Sequence, residues 1–255
     1  MRLSWAARTD PGLRRAHNED CHSAQPGLGL FVVADGVGGH AGGRIASQLA
    51  VDAIAAAVET TASLKPGDGW PRPFDPVLSR AGNRLRAGFD LANRRIAERA
   101  AASVELRDMA TTAVALLVDG LTAALAHAGD SRAYLHRPTG LTRLTLDHSW
   151  VEEQIQAGTL SAAAAREHPW RNIVTRVLAA EEGAAPEITE LTLRRGDRLL
   201  LCTDGLSSVL PADTVGGVLS DHDDLQAACD AFVRLANARG GPDNITAIIV
   251  QVDAD

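Results

Sequence analysis

Short apolar runs, each closed by glycine, proline or aspartate, set the rhythm of this chain. Residues 2–9 form a candidate first strand, ended by Asp10-Pro11-Gly12, which reads as a turn. The run from 28 to 34 predicts a buried strand that stops at the loop Asp35-Gly36-Val37-Gly38-Gly39-His40. Apolar residues recur at helical spacing over 45–58. A loop at 65–76 holds four of the eleven prolines, and a second helix is predicted over 77–99. After Met109 the texture changes. Segments 113–118, 121–128 and 132–137 are short strands parted by Asp119-Gly120 and Gly129-Asp130, which predicts an antiparallel meander. Residues 149–178 read as helical, broken by Gly158 and Pro169. Segments 187–193 and 198–203 read as a strand pair around Arg195-Gly196-Asp197. An amphipathic helix over 224–238, capped at Asp223, precedes a last strand at 245–252. Helices, many strands, helices and a strand, without clear parallel crossovers, predict an α+β sandwich.

Composition narrows the class. The 255 residues, 45% hydrophobic and 22% charged, allow one large core and argue against disorder. A net charge of −7 argues against nucleic acid or an anionic membrane as partner. Lys65 is the only lysine; arginine carries the remaining basic charge. Cys21, Cys202 and Cys229 are odd in number and widely spaced, which predicts free thiols in a reducing compartment and no zinc knuckle. The first residues lack a signal-peptide core, and no run approaches the ~20 apolar residues of a membrane span. The expectation is a cytoplasmic protein.

The informative chemistry is the placing of aspartates. Asp35 and Asp204 end apolar runs, Asp130 follows one, and Asp243 comes just before the last strand. A carboxylate at the mouth of a core strand is costly unless paired or metal-bound. Four of them with few basic neighbours would repel one another, and a hard divalent cation such as Mg²⁺ or Mn²⁺ is the natural partner. Any one of them taken alone reads more readily as a turn residue than as a ligand, since Asp-Gly is a common turn pair; the shared context of all four shifts the balance.

Taken in order, the motifs resemble those of the type 2C metal-dependent protein serine/threonine phosphatases, bacterial branch. Arg15-Ala16-His17-Asn18-Glu19-Asp20 resembles the family's R-x-x-N-E-D segment. Asp35-Gly36-Val37-Gly38-Gly39-His40 resembles its D-G-[MV]-G-G-H loop, and Met109-Ala110-Thr111-Thr112 its M-G-T-T with alanine for glycine. Gly129-Asp130-Ser131-Arg132 matches G-D-S-R, and Asp147-His148-Ser149 opens the family's flap region. Cys202-Thr203-Asp204-Gly205-Leu206 carries D-G-L, with Ser208 where many relatives have aspartate, and Asp243-Asn244-Ile245-Thr246 the closing D-N-x-T.

The resemblance implies one catalytic domain over 1–255 with a four-layer α-β-β-α fold: two antiparallel sheets face to face, flanked by helices. It implies hydrolysis of phosphoserine and phosphothreonine by a metal-activated water at a binuclear Mn²⁺ or Mg²⁺ centre. Asp35 would bridge two ions, the Gly36 carbonyl would complete the first site, and Asp204 and Asp243 would hold the second. Asp130 with Asp204 would form a weaker third. Glu19 and Asp20 would orient bound waters from the outer shell. Arg15 would take the phosphate, for which its planar fork is suited. The family's general-acid histidine falls on Val37 here, so His40 in the same loop is the candidate proton donor. His148 and His168 fall in or near the flap, with a structural or substrate-facing role. Phosphorylated proteins, Ser/Thr kinases and their targets would be the partners of a monomer.

Competing readings are weaker. Gly36-x-Gly38-x-x-Ala41 passes as a loose dinucleotide fingerprint, but Asp35 would face a pyrophosphate with negative charge. No cysteine has an arginine six residues later, as a cysteine-dependent phosphatase would. Asp221-His222-Asp223-Asp224 lacks a preceding apolar strand and reads as an acidic helix start. A non-catalytic phosphoprotein binder would keep the four aspartates at an electrostatic cost.

Overall fold

The computed structural model describes residues 2–37, 42–179 and 185–253. Its strands are β1 (Leu3–Asp10), β2 (Cys21–Gln25), β3 (Leu30–Ala34), β4 (Gly36–Val37), β5 (Ala110–Thr111), β6 (Ala113–Asp119), β7 (Thr122–Ala128), β8 (Arg132–Arg137), β9 (Gly140–Arg143), β10 (Leu178–Ala179), β11 (Glu187–Thr192), β12 (Arg198–Cys202) and β13 (Ile245–Val252). Its helices are α1 (Gly42–Thr60), α2 (Arg80–Ala101), α3 (Trp150–Gln156), α4 (Ala162–Glu167), α5 (Asp204–Ser207), α6 (Ala212–Asp221) and α7 (Leu225–Ala238).

Two five-stranded antiparallel sheets dominate, ordered β1-β13-β12-β8-β9 and β11-β7-β6-β3-β2, with a small β10-β5-β4 sheet beside them. Their strands explain why the apolar runs do not alternate with polar residues: both faces are buried. Along β3, Leu30, Val32 and Ala34 face α1 and α2, while Phe31 and Val33 face the opposite sheet. Along β13, Ile245, Ala247 and Ile249 meet α5–α7, while Ile248, Val250 and Val252 meet the first set. The order is thus helix, sheet, sheet, helix, as expected from the sequence. Truncating Phe31, fully buried between the sheets, would cost about 3–5 kcal/mol.

Local signals set the helices. Ser79 caps α2 by accepting from Gly82 N at 3.0 Å, and Gly88 lets α2 pass close to Ile54 of α1. The α7 cap is Asp224 rather than Asp223; its carboxylate accepts from Gln226 N and Ala227 N. Among the described residues no helix is long and apolar enough to cross a membrane, and all three cysteines are free thiols.

Three expectations need correction. The predicted meander holds only for its first hairpin: β6 pairs with β7, but β8 pairs with β12 and β9 in the other sheet. The chain changes sheets at Gly129, whose φ of +110° a side chain would strain. Segments 187–193 and 198–203 are not partners either; β11 pairs with β7 and β12 with β8 and β13. Each sheet satisfies its own edge, so sequence neighbours part. Residues 149–178 hold only the short α3 and α4. Gly158 (φ +72°) ends the first, and on either side of Pro169 the chain folds back so that Trp150 stacks on His168 and meets Trp170 edge-on. Strands β2 and β9 and helix α6 are additional to the predicted elements.

Candidate metal centre

The aspartates collect at one end of the sandwich, because each lies where a core strand begins or ends on the same side. Asp35 follows β3, Asp130 sits in the β7–β8 crossing, Asp204 opens α5 straight after β12, and Asp243 lies two residues before β13. Asp35 feels, after its own desolvation, the charges of Asp20, Asp204, Asp130 and Asp243. Each of these groups is ringed by protein yet keeps partial access to solvent, as the floor of a cleft does.

Backbone and hydroxyl contacts set these positions. The Asp35 carbonyl accepts from Thr112 N (2.9 Å) and Thr111 Oγ1 (2.8 Å), and Asp35 N donates to Thr112 Oγ1. Thr112 Oγ1 also lies 2.7 Å from Ser131 Oγ, so the Asp35 and Asp130 turns are tied together. Gly36 has no room for a side chain: a Cβ there would strike Gly43 O and lie 2.6 Å from Glu19 O. A Cβ on Gly43 would strike the Glu19 carboxylate. The two glycines therefore let the 15–20 segment close over the site.

Asp20 lies deepest. Its Oδ2 accepts from Thr203 Oγ1 (2.9 Å) and Thr246 Oγ1 (2.6 Å), while Oδ1 is buried without a partner. Asp204 Oδ1 is likewise buried and unpartnered. Arg15 reaches across to Asp243 with Nη2 2.6 Å from Oδ2. That hydrogen bond, and the nearby charges of Asp243, Asp204 and Asp35, raise the Arg15 pKa against desolvation.

Electrostatics show which ligands suit the site. Desolvation first, then like charge from Asp243 and Glu19, pushes Asp20 up to about 7 despite its two hydroxyl donors. Asp130 is pushed up to about 7 by desolvation, then by Asp204 and Asp147. Asp204 rises to about 6 by desolvation, then by Asp243 and Asp20. Asp35 rises well above the carboxylate range for the same reasons. A cluster of acids that cannot ionise together, with two bare buried oxygens, fits hard divalent cations: their charge offsets the repulsion and their preference is for oxygen.

The sequence reading thus picked residues that the fold brings together: Arg15, Glu19, Asp20, Asp35, Gly36, Asp130, Asp204 and Asp243. His40 lies outside the described residues. Asn244, to which the sequence pattern assigns no role, organises the rim: its Oδ1 accepts from Glu19 N (2.8 Å) and its Nδ2 donates to Pro11 O and His17 O (both 2.9 Å). Nor does the pattern assign Thr203 and Thr246 to Asp20. Their signal was adjacency to the aspartate motifs at 204 and 243.

A second cluster, His127, His148 and Glu187, has ligand atoms within 4.8 Å of one another. It is a poor cation cage. The two imidazoles stack at 4.5 Å with planes 3° apart, so their in-plane lone pairs run parallel, and the Arg176 guanidinium lies 3.3 Å from His148 Nε2.

The fold and the gathered acids agree with one family. The profile described as Protein phosphatase 2C matches residues 14–249, and the chain belongs to that family. It is 36% identical over 250 residues to the Mycobacterium tuberculosis serine/threonine protein phosphatase PstP, covering 98% of this chain but 45% of that protein. It is thus less than half the length of that relative. The Listeria monocytogenes serine/threonine phosphatase stp is 34% identical, over 96% of this chain and 94% of that protein. Among solved structures, M. tuberculosis PstP/Ppp superposes with a TM-score of 0.87 at 34% identity, covering both chains fully. The PstP catalytic domain in complex with two manganese ions superposes with a TM-score of 0.81, covering 99% of each chain.

Proposed function

We propose that this chain is a metal-dependent protein serine/threonine phosphatase, acting as one catalytic domain over 1–255 on phosphorylated proteins. The observation that carries the reading is the set of acids from five separate segments, mutually repelling and partly unpartnered, at one end of the sandwich. The manganese complex of PstP supports it.

Asp35, Asp204, Asp243 and the Gly36 carbonyl would hold two Mn²⁺ or Mg²⁺ ions, and Asp130 with Asp204 a third. Bound there, such ions supply Lewis acidity, which makes water nucleophilic at neutral pH and neutralises phosphoryl oxygens. The chain's own residues do the rest. Glu19 and Asp20 orient the waters of the site, Asp20 held by Thr203 and Thr246. Arg15, with its side chain 56% exposed at the rim, turns from Asp243 to take two phosphoryl oxygens and fix the phosphate in line. His40 is the candidate to protonate the leaving alkoxide. The partners would be Ser/Thr kinases and their targets, met by a monomer in the cytoplasm.

Turnover of a phosphothreonine peptide by the purified chain, with Mn²⁺ or with EDTA, tests this. Phosphate release with Mn²⁺ that EDTA abolishes is expected. Release that survives EDTA, or none with Mn²⁺, would overturn it.

A further inference from the structure

The turn that carries Asp130 is gripped at both ends by the dipeptide Asp147-His148. His148 N–H donates to Gly129 O at 3.0 Å, and His148 Nδ1 accepts from Gly129 N–H at 3.1 Å, so one residue satisfies both polar groups of Gly129. At the other end Asp147 accepts from Arg132 Nε (2.9 Å) and Nη2 (2.6 Å). A Cβ on Gly129 would lie 2.5 Å from the Thr112 side chain, so the turn has no slack on its inner side either.

The chemistry of the imidazole is set by its neighbours. With Nδ1 accepting, Nε2 carries the proton and faces Glu187 Oε2 at 3.4 Å, and the Arg176 guanidinium 3.3 Å away is then a neighbouring charge and not a hydrogen-bond partner. The ring stacks on His127, itself fixed by Nε2 at 2.8 Å from Leu146 O. Desolvation, His127 and Arg176 push His148 down to about 4, so the ring stays neutral and Nδ1 stays an acceptor. The same residue reaches the segment beyond α4: Thr175 N donates to His148 O at 2.8 Å, Ser149 bridges Val174, and Trp150 N donates to Ile173 O.

We propose that His148 is a positioning residue for Asp130: by holding both polar groups of Gly129 it orients the Asp130 carboxylate for its cation. The inference rests on the reading that Asp130 holds an ion. Side chains that orient a metal's ligands typically change its affinity 10–100-fold when removed. Here the effect is confined to the ion that Asp130 holds.

The test titrates Mn²⁺ into the intact chain and follows free Mn²⁺ by electron paramagnetic resonance. It compares the wild type with His148→Asn, His148→Gln and Asp130→Asn. Asparagine keeps an acceptor where Nδ1 stands; glutamine moves it to the place of Nε2 and leaves Gly129 N–H unpaired. The expected result is that His148→Gln weakens one ion by about 10–100-fold, as Asp130→Asn does, while His148→Asn binds like the wild type. Equal binding by the Asn and Gln variants, or equal weakening of every ion, would overturn the inference with the function intact. A wild type that binds no Mn²⁺ would overturn the functional reading and this one with it.

Discussion

Cation binding here should be tied to pH, with a sign set by the raised carboxyls. Asp20 and Asp130 are held at about 7 and Asp204 at about 6, against an ordinary 3.8. Folded values above unfolded ones mean that the folded, cation-free chain binds more protons between roughly pH 4 and pH 7. Its stability contribution from these groups is full below the unfolded value and is lost as pH rises through the folded ones. Because the acids repel one another, the conservative count is one shared proton. At about 1.4 kcal/mol per pH unit, that proton removes about 3 kcal/mol between pH 5 and pH 7. Cations that bind the ionised carboxylates should recover the loss, their apparent affinity rising about tenfold per pH unit for each proton displaced. His22, His127 and His148, all lowered by burial, pull stability the other way. They act alike with and without cation, so the difference between the two conditions isolates the acids. Thermal unfolding at pH 5, 6 and 7, in EDTA and in excess MnCl₂, measures it. The Mn²⁺–EDTA gap in Tm should widen by about 6–12 °C from pH 5 to pH 7 for a chain of this size. A gap that is constant, or that narrows, would refute the account of a repulsive acid cluster awaiting cations.

Further outcomes follow from single contacts. Asp204→Asn should lose at least about 100-fold in turnover, measured with Mn²⁺ on a phosphopeptide, while its far-ultraviolet circular dichroism stays that of the wild type. Arg15→Ala should lower kcat/KM about 10- to 100-fold, the worth of charge-assisted hydrogen bonds to phosphate, without raising the Mn²⁺ concentration needed for half activation. Asn244→Ala strips partners from Glu19 N, Pro11 O and His17 O; it should cost about 3 kcal/mol in urea unfolding and lower turnover together. At the far end of β12, Asp197 is 2% exposed and paired with Arg137 at 2.7 Å. Asp197→Ala should cost about 3 kcal/mol and leave kcat unchanged, separating stability from chemistry.

By itself the sequence determined which strands have two buried faces, where they stop, and which acids stand at the stops. Those are local properties: an unbroken run such as Leu30–Ala34 must be covered on both sides, and Asp35 must then lie at its mouth. Together with the motif order they single out the acids that the fold gathers at one end of the sandwich. The partners of each strand were decided only in three dimensions. The Asp130 turn reads like any hairpin, yet it crosses between sheets, because β8 finds its hydrogen bonds on β12 rather than on β7. That crossing, and not the turn's own residues, carries Asp130 to the same floor as Asp35 and Asp204. Equally hidden were the grip of His148 on Gly129, over 19 residues, and that of Asn244 on the 11–19 segment, over more than 220. Contacts between segments so far apart leave no periodicity behind; they exist only once the two sheets have packed.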